Sequence, residues 1–136
     1  MAASHRQFFE DYAKTYDAFD IKRMITYAHC PMITVQQGEP KVHATPEEVE
    51  GFFSQLLVWF RGIEHEHASI SHLDVQPLGE KSAFAKVVWR SHRKGGKPDL
   101  EWPTAYHLVN PGSGWKILAI ILRYEPAQEV RDSTDL

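Results

Sequence analysis

A chain of 136 residues has the length of one domain and enough material for a real core. It is 43% apolar and 24% charged, an ordinary globular composition, and its net charge of −3 comes without the basic stripe that a nucleic-acid partner demands. The longest apolar run, residues 117–122, is strand-sized and excludes a membrane-spanning helix, and one cysteine excludes an internal disulfide.

The pattern in chain order opens with a helix over residues 5–20. Phe8, Phe9, Tyr12, Tyr16 and Phe19 recur at helical spacing, with Glu10, Lys14 and Asp17 between them. Asp20 reads as the N-cap of a second, short helix over 21–28, and Pro31 stops it. A strand follows over 32–37, then a turn at Gly38-Glu39-Pro40 and a return strand over 41–44. Thr45-Pro46-Glu47-Glu48 combines an N-cap, a proline at the first helical position and a capping box. Val49, Phe52, Phe53, Leu56, Leu57 and Phe60 are the inward face of that third helix, which Gly62 ends.

Strands fill the rest. Residues 64–76, 83–92, 100–109 and 115–124 are strand-like, with turns at 77–80, 94–98 and 110–114. The tail 125–136 is polar and expected to be frayed and flexible, which leaves a core of about 6–124 in one domain spanning 1–136. Helices first and a strand meander after predict an α+β domain: three N-terminal helices on one face of a curved antiparallel or mixed sheet.

Two stretches raise chemical questions. His29-Cys30-Pro31 holds the lone cysteine beside a histidine, but adjacent residues on extended backbone point to opposite sides, so His29 is poorly placed to activate Cys30. The triplet reads as punctuation and Cys30 as a small buried filler. In "EHEHASISH", His65 and His67 share a strand face and would bind zinc only with a third converging ligand. No partner pattern accompanies them, so neither a metal site nor a cofactor is expected. Among the aromatics, Phe8, Phe52, Phe53 and Phe60 are core by spacing, and Trp59, Trp89, Trp102 and Trp115 line a core, pocket or interface.

The order of elements, carried by "FFEDYAKTYDAFDIKRMITYAHCPMITV", "ATPEEVEGFFSQLL" and "GSGWKILAIILRY", resembles the nuclear transport factor 2-like superfamily over about residues 6–124. Its SnoaL-like and ketosteroid-isomerase-like members are the nearer branch. The resemblance implies a cone-shaped α+β barrel with a pocket at its wide end, often dimeric through the outer sheet face. Members include isomerases, dehydratases, polyketide cyclases and epoxide hydrolases, so the fold does not name a reaction.

Ketosteroid isomerases pair a first-helix tyrosine with an aspartate base and a second, protonated aspartate. Carried over residue by residue, the resemblance keeps Tyr12, puts the base near Val35, between Thr34 and Gln36, and puts the second acid near Ala105. Neither position is acidic, and steroid isomerisation needs a carboxylate to shuttle the proton. The resemblance implies instead a pocket made by Tyr12, Tyr16, Thr34, Gln36, Trp59, His107 and Arg123, with His107 the best catalytic candidate and Arg123 a holder of a carbonyl or carboxylate oxygen. A structural histidine and an edge arginine are the plainer reading of that pair. The other phase of residues 100–108 (Leu100, Trp102, Thr104, Tyr106 and Leu108) is the more apolar, and simple alternation would bury it and turn His107 outward.

The expectations are therefore a cytoplasmic SnoaL-like pocket protein for a small hydrophobic or carbonyl- or carboxylate-bearing ligand, forming a homodimer, with no nucleic-acid or membrane partner. It would be an acid–base enzyme of the isomerase, dehydratase or cyclase kind, a non-catalytic ligand binder, or a dimeric association domain with its core filled. The apolar character of both phases in 100–109 and 115–123 motivates the dimer.

Overall fold

The computed structural model describes residues 2–122 and 127–130. Helix α1 (Ala2–Asp17) follows from the aromatic stripe: His5, Phe9, Tyr12, Ala13 and Tyr16 are buried along one face of a 3.6-residue repeat, with Thr15 buried beside them. It begins three residues before the predicted start and ends three before the predicted end, where Phe19 takes a left-handed φ of 50° and the Asp20 amide closes back on the Thr15 carbonyl at 2.9 Å. Asp20 then caps α2 (Ile21–Met24), its carboxylate accepting from the Arg23 amide at 3.2 Å. The predicted second helix runs only to Met24 and tightens into a 3₁₀ turn (Ile25–Tyr27) before the chain extends.

Strand β1 (Ala28–Gln36) therefore already contains the His29-Cys30-Pro31 triplet. The His29 ring turns to the Pro31 carbonyl, 2.8 Å from Nδ1, and not to the thiol. Cys30 is exposed, contrary to the buried role expected of it, and donates to the Ala44 carbonyl at 3.5 Å. Strand β2 (Glu39–His43) returns antiparallel to β1. Helix α3 (Pro46–Gly62) begins as its sequence dictates, with the Thr45 hydroxyl accepting from the Glu48 amide at 3.2 Å, and buries Val49, Phe53, Leu57 and Phe60.

Strands β3 (His65–Pro77), β4 (Ser82–Arg93), β5 (Asp99–Val109) and β6 (Lys116–Ile121) form the meander. The sheet order is β2-β1-β6-β5-β4-β3, antiparallel throughout except for the parallel β1–β6 pair, which brings the N-terminal hairpin beside the last long strand. The result is the expected α+β architecture: three helices on a curved, unclosed mixed sheet. Gln128–Val130, expected within a frayed tail, instead forms strand β7 against Asp99–Glu101 of β5.

The core lies between α1, α3 and the sheet. On β4 it takes Ala83, Ala85, Val87 and Trp89, and on β5 Trp102, Tyr106 and Leu108, an alternation that spends every second side chain inward. Helix α1 is tied to the sheet by its last residue. Asp17 Oδ1 accepts from the Ala68 amide and from His65 Nε2, each at 2.9 Å, and Oδ2 lies 3.0 Å from His67 Nδ1. The far nitrogen of the buried His65 ring lies 2.5 Å from Ser91 Oγ. Thus His65 and His67 do converge, on a carboxylate.

Candidate functional site

Where α1 and α3 cross the concave side of the sheet, their aromatic side chains do not fill the space completely. A hollow of about 50 Å³ remains. Helix α1 contributes Tyr12, Ala13 and Tyr16 to its wall; α3 contributes Leu56, Trp59 and Phe60; Ala68, Trp89, Trp102, Thr104, Tyr106, Ile120 and Leu122 come from the sheet side. Among the described residues that line it there is no carboxylate, imidazole, amine or guanidinium.

Its polar groups are neutral: three phenols, the Thr104 hydroxyl and the indole N–H groups of its tryptophans. Tyr12 and Tyr16 stand one helical turn apart, and their hydroxyl oxygens meet at 2.5 Å. Tyr106 Oη accepts from Trp89 Nε1 at 2.8 Å across the β4–β5 pair. Burial first pushes the Tyr12 and Tyr16 hydroxyls well above the ordinary phenol range; Tyr16 and Tyr106 add to the rise at Tyr12, and Tyr106 adds to it at Tyr16 against the opposing hydrogen bond with Tyr12. Burial raises Tyr106 as well, against the opposing pull of its hydrogen bonds with Trp89 and Thr104. All three remain neutral hydroxyls at any ordinary pH.

A second, open cleft of about 730 Å³ adjoins the hollow, between the β1–β2 hairpin and α3. Leu56, Trp59 and Leu122 border both spaces. The cleft carries charge where the hollow does not: Thr34, Gln36, Gln37, Glu39, Lys41 and His43 come from the hairpin and Gln55 from α3. His43 is buried, its ring against Phe52 and its Nε2 3.0 Å from Thr34 Oγ1. Burial, and next the charge of Lys41, lower its pKa, so it stands as a neutral imidazole at neutral pH.

The residues expected at the site divide accordingly. Tyr12, Tyr16 and Trp59 line the hollow; Thr34, Gln36 and again Trp59 line the cleft. His107 joins neither. The buried phase of β5 is Trp102, Thr104, Tyr106 and Leu108, as plain alternation requires, and His107 points to the opposite face, 2.8 Å from Ser82 Oγ and against the Phe84 ring. Ala105 shares that outward phase. The inward assignment of His107 is thus overturned by one residue of register. Arg123 lies outside the described residues. Sequence reasoning missed Tyr106, Thr104 and His43; the apolar phase of β5 was the signal for the first two. Among the described residues no three His, Cys, Asp or Glu side chains converge to hold a metal ion. No helix among them is long and apolar enough to cross a membrane.

The sequence matches the family model described as NTF2-like protein (DUF6841) over residues 3–125, and the chain belongs to that family. Solved structures agree on the fold. An NTF2-like protein of unknown function from Pseudomonas putida KT2440 superposes with a TM-score of 0.70 at 12% identity, over 96% of this chain and 94% of that one. A protein of Xanthomonas campestris proposed to be a calcium/calmodulin-dependent protein kinase II association domain gives 0.67 at 14% identity, over 97% and 89%. One of Novosphingobium aromaticivorans proposed to be a scytalone dehydratase gives 0.62 at 14%, over 93% and 85%. No curated protein matches the sequence.

Proposed function

We propose that this chain is a SnoaL-like small-molecule receptor, in which hollow and cleft are the two ends of one ligand site. The observation that carries the reading is the Tyr12–Tyr16 pair. Two hydroxyls own two protons, and their mutual bond uses one. The other is left as a neutral donor beside an apolar space, where an unpaired polar group is costly. A ligand oxygen that accepts it, a carbonyl or an ether, satisfies the pair. A carboxylate is disfavoured there, because no cation among the described lining residues offsets its desolvation.

Volume decides how such a ligand sits. An apolar cavity that holds benzene measures about 150 Å³, so about 50 Å³ admits the tip of a ligand and not a ring. The oxygen-bearing tip enters past Trp59 and Leu56, and the body of the ligand occupies the cleft against Thr34, Gln36 and His43. The test is a titration with small ketones and aryl ketones, followed by amide chemical shifts. Shifts confined to residues of the hollow and cleft support the reading; none at millimolar ketone overturns it.

A second reading, acid–base catalysis, rests on His43. A neutral, lowered-pKa imidazole held by Thr34 at the cleft wall is a competent proton acceptor. It replaces His107 as the candidate base, and turnover of a bound ketone that His43→Gln abolishes without loss of binding would establish it.

The homodimer belongs to the same proposal. The outward face of the sheet exposes Phe84 (49%), Ile121 (41%) and Val42 (58%), a hydrophobic exposure that a second copy would cover. The similarity in fold to a proposed association domain is in keeping with it.

A further inference from the structure

Strands β3 and β4 pair in a register that sets His67 directly opposite His92. The two rings lie nearly parallel, 16° between their planes, with centroids 5.5 Å apart. Both side chains are open to solvent, 62% and 41% exposed. Each ring is held at the same atom by a carboxylate: His67 Nδ1 by Asp17 and His92 Nδ1 by Asp99, both at 3.0 Å.

Neither carboxylate is free to swing. Asp17 is pinned by His65 and the Ala68 amide, and Asp99 Oδ2 also accepts from Arg90 Nε at 2.7 Å. A carboxylate that takes the Nδ1 proton fixes the tautomer and ring orientation and leaves the lone pair on Nε2, which is how outer groups prepare histidine for a metal ion. His92 Nε2 faces only the neutral hydroxyl of Ser69, at 3.1 Å, which an ion can displace.

We infer that His67 and His92 form a cross-strand, two-histidine surface site for a divalent transition-metal ion such as Zn²⁺, Ni²⁺ or Cu²⁺, with water completing the coordination. Imidazole nitrogen selects these ions over Mg²⁺ and Ca²⁺. With two protein ligands the site binds more weakly than a three- or four-ligand centre. Bonds of about 2.0–2.1 Å to one ion need the two Nε2 atoms roughly 3 Å apart, so the rings toe in from their parallel stack on binding. The pair was invisible in linear spacing because the partner of His67 is 25 residues downstream (92 − 67) on the neighbouring strand.

The test is isothermal titration of the untagged full-length chain with zinc, nickel and copper chlorides, in parallel with His67→Gln and His92→Gln. Glutamine retains an N–H for the carboxylates while removing the imidazole, so the fold is kept. His72→Gln, an exposed histidine elsewhere on β3, is the control. The expected result is one ion per chain, affinity reduced about tenfold or more in each of the first two variants, no change in the control, and nitrogen hyperfine structure from two imidazoles in the copper EPR spectrum. Absence of binding at millimolar ion, or binding that survives both substitutions, overturns the site.

Discussion

The Tyr12 and Tyr16 hydroxyls meet at 2.5 Å inside a mostly apolar wall that carries no charged group among its described residues. One helical turn puts them in reach of each other, and burial keeps both protonated. Their spare proton is the most specific chemical feature of the hollow.

Removing either hydroxyl should therefore be read in binding. Tyr16→Phe or Tyr12→Phe is expected to weaken ketone affinity about tenfold, the worth of one hydrogen bond of ~1.4 kcal/mol. Affinity of the native chain should stay flat between about pH 6 and 9, since phenols raised above the ordinary value of ~10 do not ionise there. Titrations monitored by amide shifts check both.

Filling the hollow separates a receptor from a scaffold. Ala68→Val adds a pair of methyl groups to a space of about 50 Å³. Ketone binding should vanish while the melting temperature holds or rises. A receptor role for the hollow is refuted if binding persists in a variant shown by crystallography to have closed it.

Asp17 links acid to unfolding. Burial alone would raise its carboxyl, but hydrogen bonds from His65, the Ala68 amide and His67 outweigh burial and leave the pKa below the usual value. A carboxyl depressed in the folded state stabilises above its unfolded pKa of ~3.9, and that stability is lost as pH falls through the folded value. Thermal melts of the native chain should lose stability below about pH 4. Asp17→Asn should be less stable at pH 7, by about 1–3 kcal/mol, with a shallower acid limb.

His107 lies on the outward face. His107→Ala is expected to leave ketone affinity unchanged, whereas His43→Gln should alter binding or turnover. A loss of affinity in the His107 variant equal to that of Tyr16→Phe would contradict the register described.

A charge in the middle of the outward face should split the dimer. Phe84→Glu is expected to run as a monomer in light scattering at micromolar concentration, with the native chain a dimer. A native monomer at that concentration removes the proposed interface.

Much of this architecture was legible. Thr45-Pro46 and the α3 stripe announce their helix because caps and 3.6-residue spacing are local signals. The fold family was readable from the order of elements. Within the site, the helical stripe placed Tyr12 and Tyr16 on one face of α1, and the resemblance reached them as pocket residues together with Thr34, Gln36 and Trp59. What escaped is non-local. Asp17 and His65 are 48 residues apart, and their bond exists only once α1 lies on β3. Strand β7 has no pattern of its own beyond three residues that find β5. On β5 the alternation of Trp102, Thr104, Tyr106 and Leu108 reported burial directly. The resemblance, with no motif at that point to fix its register, placed His107 a residue out of phase.

Trp59 borders both the hollow and the cleft, with its indole edge-on to Trp102 at 5.2 Å. Neither compartment can be occupied without changing the surroundings of that one chromophore. The molecule thus carries its own optical gauge of occupancy: in a Trp59→Phe background the emission response to a guest should shrink, even for guests that never touch the remaining indoles.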